Sequence, residues 1–270
     1  MESDPTQRFS SRVADYIRYR PSYPEAIVTG LARECGLSPQ SRIADIGSGT
    51  GILSSLFLHF GCRVDGVEPN SAMRLAGERL LVAEPRFHSV EGRAEATTLP
   101  AGSVDFVTAG QAYDWFDPEP ARAEFRRILK PHGWVVLVWN ERLVAPGFLT
   151  GYEALLQRLS SDYGRVDHRR IDSAQITRYF GHDEWRVELV PNHQDFDWDG
   201  LRGRLLSSSY APLPGSPQYQ PMMEELAALF PTYQQAGQVR ILYDTKAYAG
   251  QLTHGASDQS SLNGTACSGW

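Results

Sequence analysis

One stretch constrains this chain more than any other: Ile43-Ala-Asp45-Ile-Gly47-Ser48-Gly49-Thr50-Gly51-Ile52. A short run with β-branched residues meets three glycines at alternate positions, and an apolar, helix-like segment follows. Glycines at such a junction let the backbone turn sharply and approach a ligand with no Cβ in the way. A strand that feeds a helix through a tight loop belongs to a sheet with helices packed on it.

The alternation continues. Arg42–Ile46, Arg63–Val67, Phe87–Val90, Val104–Ala109 and Trp134–Trp139 read as buried strands. Ile52–Phe60, Ser71–Ala83 and Pro118–Leu129 read as helices, with Ser71 and Asp117 as caps and Pro118 in a first turn. The turn Lys130-Pro-His-Gly133 separates the last of these helices from the next strand. Strand–helix–strand repetition implies a parallel sheet with helices on both faces. After Trp139 the rhythm changes: helices are expected at Gly151–Ser160, Ser173–Phe180, Asp199–Ser207 and from Tyr219 to Leu229, and strands at Trp185–Val190 and Val239–Tyr248. The chain therefore divides into an N-terminal helical cover (1–40), an α/β domain (41–253) with insertions at 145–184 and 192–238 that cover a ligand crevice, and a Ser/Gly-rich tail (254–270) expected to be disordered.

Composition narrows the function classes. With 41% apolar and 21% charged residues over 270, the chain is an ordinary globular one, long enough to bury roughly 70–75% of its unfolded surface. No apolar run approaches the ~20 residues of a membrane span, and the polar start Met1–Phe9 predicts no secretory leader. A net charge of −6 argues against a general nucleic-acid footprint. Cys35, Cys62 and Cys267 form no CxxC and no zinc-like cluster, so the reading is a reducing, cytoplasmic setting, no metal, and Cys62 as a core residue.

The glycine run differs from a dinucleotide fingerprint, GxGxxG, because its third glycine comes one residue early. It also opens with an acid, Asp45, which suits a cationic cofactor better than a diphosphate. S-adenosylmethionine carries an ammonium and a sulfonium and no phosphate. Glu68, in Gly66-Val-Glu68-Pro69-Asn70, ends the second strand seventeen residues past Gly51, where a carboxylate accepts from both ribose hydroxyls of an adenosine. The glycines alone also suit a nicotinamide or flavin cofactor, or close packing of a helix on a sheet.

These residues resemble the class I S-adenosylmethionine-dependent methyltransferases, and among them the small-molecule branch of the trans-aconitate and ubiquinone/menaquinone methyltransferases. The resemblance rests on Tyr16-Ile-Arg-Tyr19-Arg20-Pro-Ser-Tyr23-Pro24, on Asp45–Gly51, on Gly92-Arg-Ala-Glu95 with Leu99–Val107, on Ala109-Gly-Gln111-Ala112-Tyr-Asp114-Trp-Phe116 and on Phe125–Gly133. It implies a Rossmann-like seven-stranded sheet whose last strand is antiparallel and carries Tyr248. It implies that Gly47, Ser48, Gly49 and Gly51 line the methionine half of the donor, with Asp45 near its amino group. Glu68 would hold the ribose, with Pro69, Asn70 and Met73 beside the nucleoside. Ala94 and Glu95 would contact the adenine, and Gln111 and Ala112 would border the methyl. Tyr19 and Arg20 would fold over the donor, Arg20 pairing its carboxylate. Two positions depart from the pattern: Arg93 stands where many relatives have Asp, and Asp114 where many have His.

The implied activity is methyl transfer to a small molecule, on carboxylate or hydroxyl oxygen, by a monomer or homodimer, with no nucleic-acid or membrane partner. A hydroxyl or carbon acid would need a base, for which Asp114 is the candidate; a carboxylate would need none and would be held by Arg142, with Arg202 or Arg204. The rings of Tyr113, Trp115, Phe116 and Trp139 read either as a pocket near the sulfonium or as core, and Ser207-Ser-Ser-Tyr210 as a polar lining toward the acceptor. His168, His182 and His193 read as surface residues. The competing readings are an RNA or protein methyltransferase, against which the absence of an (N/D)PP(Y/F) tetrapeptide counts, and a non-methylating protein that keeps the donor as ligand.

Overall fold

The computed structural model describes residues 13–160, residue 163 and 173–252; the tail, His168 and Cys267 lie outside the described residues. Seven strands form one sheet in the order β3-β2-β1-β4-β5-β7-β6. β1 (Arg42–Ile46), β2 (Arg63–Val67), β3 (Phe87–Val90), β4 (Val104–Gly110) and β5 (Leu129–Arg142) pair in parallel. β7 (Val239–Gly250) lies antiparallel between β5 and β6 (Arg186–Phe196), with Tyr248 on it. The expected seven-stranded Rossmann-like architecture is therefore the observed one.

Each parallel strand is bounded by a helix that the sequence starts and stops locally. α2 (Ala26–Cys35) ends on Gly36 and α3 (Ile52–Phe60) on Gly61, both left-handed. α4 (Ser71–Leu80) starts one residue earlier than a Ser71 cap would have it, because the Asn70 side chain accepts the Met73 N–H at 3.0 Å. α5 (Pro118–Ile128) has Pro118 in its first turn. Successive strand residues face opposite ways. Ile43, Phe106 and Val136 therefore join a cluster under α2 and α3, whereas Ala44, Val107 and Leu137 join one under α5 and α7 (Ser173–Phe180). Cys62 is fully buried in the first of these.

The turn read at Lys130–Gly133 is a bulge inside β5. Val104 pairs with Leu129 and Phe106 with Trp134, so four residues loop out, with His132 at φ +64°. Lys130 closes the loop on Asp105 at 2.9 Å.

A third apolar cluster belongs to the cover. α6 (Phe148–Leu159), α8 (Trp198–Leu206) and α9 (Tyr219–Tyr233) pack on Val239, Ile241 and Tyr243 of β7. α1 (Val13–Tyr19) lies on α8, where Tyr19 occupies the space of an absent side chain: a Cβ on Gly203 would fall 2.0 Å from its ring. The segment after α1 is tied to the sheet by amides. Gln194 donates to the Tyr19 carbonyl (3.1 Å), and Asn140 and Asn192 both donate to that of Ser22 (3.3 and 2.9 Å). The N-terminal strap thus reaches the carboxyl ends of β1 and β4, where Tyr16, Arg20 and Tyr23 share a hollow with Asp45 and Gly110 and where the strand order reverses and α/β sheets bind ligands. Among the described residues, no helix is long and apolar enough to cross a membrane.

Candidate functional site

The glycine loop leaves β1 with Gly47, Gly49 and Gly51 all at positive φ (+68°, +58°, +85°). Gly47 and Ser48 donate to the Val67 carbonyl at 2.9 and 3.1 Å, pinning the loop to the end of β2. A Cβ on Gly47 would stand 2.7 Å from that of Ala112, so strain and space both demand glycine there.

Glu68 locks the loop. Its Oε2 accepts the Gly49 N–H and its Oε1 the Asn70 N–H, each at 2.8 Å. Each oxygen keeps lone-pair capacity for a further donor. Burial raises the Glu68 pKa, and the two backbone N–H groups only partly oppose that. Asp45, 1% exposed at the end of β1, accepts from Ser54 Oγ at 2.6 Å and Thr108 Oγ1 at 3.1 Å. Burial pushes its pKa to about 6 against those two hydroxyls, with a small further rise from Glu68.

Two hollows meet over these groups. The larger, about 760 Å³, has Glu68, Pro69, Asn70 and Met73 on one wall, Ala94 and Glu95 on another and Ala112 opposite. The smaller, about 440 Å³, holds Arg20, Asp45 and Ser48. Gly47 and Gln111 border both, and Gly49 the larger. Gln111 takes an uncommon left-handed turn (φ +54°), its N–H donating to Val138 and its Oε1 accepting from the Asn140 N–H at 2.8 Å. A wall that carries a carboxylate with spare acceptor capacity suits a ribose. A neighbouring chamber with a buried carboxylate and a guanidinium whose buried Nε has no acceptor suits a zwitterionic amino acid. The residues present therefore fit an adenosyl amino acid.

Of the residues proposed from the sequence for the donor, all but Tyr19 and Gly51 line these hollows. Gly51 caps α3, and Tyr19 sits on Gly203 instead of over the crevice. Glu95 also accepts from the Asp117 N–H (2.8 Å) and from Arg93 (3.0 Å), and Arg93 itself lines the larger hollow. Asp114 lies outside both walls and accepts the Trp139 indole N–H at 3.3 Å. Arg142 pairs with Glu153 and donates to Tyr163 at 2.6 Å. Arg202 is exposed beside Asp199, at 3.8 Å, whereas Arg204 is buried. Trp115 and Phe116 line the larger hollow, while Tyr113 and Trp139 stack edge-on at 6.1 Å in the core. His182 contacts the Gln251 carbonyl at 2.7 Å.

Sequence reasoning missed Tyr16, which borders both hollows, and Tyr23 and Asn140 in the smaller one. A signal existed for Tyr16. It stands four residues before Arg20 and so on the same helix face, and the guanidinium lies 4.9 Å from its ring centre. Among the described residues, no group of three His, Cys, Asp or Glu side chains gathers as a metal site would require.

A family model described as a methyltransferase domain matches residues 44–137. An uncharacterized methyltransferase of Schizosaccharomyces pombe is 27% identical over 252 residues, covering 90% of this chain and 96% of its own length. An uncharacterized methyltransferase of Mycobacterium tuberculosis is 37% identical over 139 residues, about half of each chain (52% and 54%). A solved structure from Anaeromyxobacter dehalogenans, described as a type II methyltransferase, superposes with a TM-score of 0.65 at 26% identity, over 87% of this chain and all of that one. At 15% identity, a Haemonchus contortus phosphoethanolamine N-methyltransferase solved with S-adenosylhomocysteine shares the fold, with a TM-score of 0.54 over 93% of this chain and 59% of that one.

Proposed function

We propose that the chain is a class I S-adenosylmethionine-dependent methyltransferase, a reading supported by the methyltransferase-domain match over residues 44–137 and by the relatives above, and that it methylates a small-molecule acceptor on oxygen, carboxylate or hydroxyl. The observation that carries the small-molecule reading is the roof. The strap and α8 are built from this chain and seated through Tyr19 on Gly203, and the amides of Asn140, Asn192 and Gln194 tie the strap to the sheet. Tyr16, Arg20, Pro21 and Tyr23 of that strap border the two hollows, so the room left beside the donor favours a small acceptor over a folded protein or an RNA duplex.

When bound, S-adenosylmethionine supplies an electrophilic methyl group. The acceptor's oxygen would take that methyl group, and the sulfur would keep the electron pair of the broken bond as a neutral thioether. The chain's own contribution is alignment, which supplies roughly 7–11 kcal/mol. We assign Glu68 to the ribose, Arg20 to the donor's carboxylate and Asp45 to its ammonium, with Gln111 and Ala112 beside the methyl. Besides Gln111, the hollows carry the side chains of Tyr16, Tyr23 and Asn140 around that end, and no histidine lines either of them. Asp114 is turned to Trp139. That favours an oxygen already ionised on arrival, as in a carboxylate. The free cysteines Cys35 and Cys62 agree with a cytoplasmic enzyme.

The test is transfer of labelled methyl from S-adenosylmethionine into separated metabolite, RNA and protein fractions of a cell extract. Label should enter the metabolites and be released by mild alkali, as from a methyl ester. Label in RNA or protein, or none in any fraction, would overturn the reading.

A further inference from the structure

The cover conceals more positive charge than the donor consumes. Arg20, just past α1, Arg142, at the end of β5, and Arg204, in α8, all bear on one phenol, that of half-buried Tyr210. Each guanidinium also lies over an aromatic ring: Arg20 over Tyr16 at 4.9 Å, Arg142 over Tyr152 at 5.1 Å, Arg204 over Tyr243 at 6.0 Å. Among the described residues only Arg142 has an acid in ion-pair contact, Glu153 of α6. That carboxylate is heavily used, since it also accepts from Tyr163 at 2.6 Å and from Gln157 at 2.9 Å. Among the described residues Arg204 donates only to neutral oxygens, Tyr243 Oη at 3.2 Å and Ser208 Oγ at 2.9 Å; Arg20 donates to the Ser207 carbonyl at 3.1 Å. Two donors, Arg20 Nε and Arg142 Nη1, are buried with no acceptor at all.

Among the described residues, three cations face one carboxylate, which leaves two charges uncompensated at a site where Arg204 is buried. That state costs several kcal/mol per ion unless an anion completes it. Tyr210 responds to the excess: burial raises its pKa, but Arg204, Arg142, a hydrogen bond with Ser208 and Arg20 together outweigh burial, so the phenol titrates below its ordinary value. The donor's single carboxylate satisfies Arg20, whose guanidinium lines the smaller hollow. Arg142 and Arg204 remain.

We infer that Arg142 and Arg204, with the Tyr210 and Ser208 hydroxyls, form an anion subsite that anchors a carboxylate or phosphate group of the acceptor, distinct from the oxygen that is methylated. The inference rests on the methyltransferase reading above and names the acceptor's class: a molecule with an acidic anchor besides its reacting oxygen. The two roles fall to different groups because an oxygen paired to guanidinium has its electron density held by the pair and is a poor nucleophile. The anchoring anion is unchanged by the reaction.

The experiment titrates the folded chain, saturated with S-adenosylhomocysteine, with glutarate, with inorganic phosphate and with uncharged glutaramide. Glutarate or phosphate should bind and raise the melting temperature, the tighter of the two identifying the anchor's chemistry, and glutaramide should do neither. Arg204→Gln should weaken the anion at least tenfold while changing the dissociation constant of S-adenosylhomocysteine less than threefold. If that variant does not fold, the paired Arg142→Gln/Glu153→Gln change, which removes one cation together with its carboxylate, should give the same loss. Glutaramide binding as well as glutarate, no anion binding to the loaded chain, or anion affinity indifferent to these variants would overturn the subsite. Failure of S-adenosylhomocysteine itself to bind would instead sink the methyltransferase reading.

Discussion

Glu68→Ala should weaken S-adenosylhomocysteine binding roughly 100-fold or more, with the protein still folded. Two ribose hydrogen bonds to a charged acceptor contribute about 1.5–3 kcal/mol each, and every 1.4 kcal/mol is about a factor of ten. The same substitution strips the Gly49 and Asn70 N–H groups of their acceptor, so the glycine loop loses the brace that shapes it. Glu68→Gln keeps one acceptor oxygen but turns an amide NH₂ toward one of those N–H groups, and should fall between, near tenfold. Isothermal calorimetry on both variants, beside their melting curves, checks the ordering. A change below threefold in Glu68→Ala would remove Glu68 from the ribose site.

The second large effect concerns Asp45. Its folded pKa, about 6, lies above the ordinary 3.8, with burial as the dominant cause. Below pH 4 the folded and unfolded chains both hold the proton. As pH rises from about 4 to 6 the unfolded chain releases it first, so stability falls across that window and levels off above it. A rise of that size corresponds to about 3 kcal/mol at most. Asp45→Asn should therefore stabilise the ligand-free protein near pH 7.5 by up to about that amount, visible as a melting temperature several degrees higher, and should flatten the fall between pH 4 and 6.

The same substitution should cost cofactor affinity. In the wild type, the ligand's ammonium favours the ionised carboxylate, so S-adenosylhomocysteine should bind more tightly as pH rises from 5 to 7, with release of a proton. In Asp45→Asn that slope should vanish and affinity at neutral pH should drop at least tenfold. Calorimetry in two buffers of different ionisation enthalpy reads the proton directly. A wild-type affinity that stays flat from pH 5 to 7 would refute the pairing. Selection for binding thus sustains a buried acid that the fold alone would do better without.

The first three strands are legible residue by residue and the fourth to within one residue, and for the inner strands β1 and β4 the reason is that a parallel strand buried on both faces is a short apolar run bounded by breakers. The apolar pattern carries β6 only to Val190, yet the strand runs on to Phe196, through Pro191, Asn192, His193 and Gln194. An edge strand pairs on one side only, so its far half has no hydrophobic signature. β5 extends past Trp139 to Arg142 for a tertiary reason: Asn140, Glu141 and Arg142 pair with β7, about a hundred residues later.

The site divides along the same line. Asp45, Glu68, Gln111 and the glycines are readable because strand ends and tight loops fix them locally. Tyr19 adjoins Arg20 in sequence, which suggests a place over the donor. One step along a helix, however, turns a side chain by about 100°, and it is Tyr16, four residues away, that shares the face. The cluster of Arg142, Arg204 and Tyr210 joins β5, α8 and the segment after it. No spacing in the sequence announces such an encounter, although each residue is individually suspect.

The central claim is that the paired hollows receive the adenosyl and amino-acid halves of one ligand. Its most direct test is a calorimetric titration of the whole chain with S-adenosylhomocysteine, followed by a melting curve of the mixture. The account predicts saturable heat at one ligand per chain and a melting temperature that climbs with ligand concentration. A chain that melts cooperatively, yet gives neither heat nor any thermal shift at millimolar ligand, would contradict it.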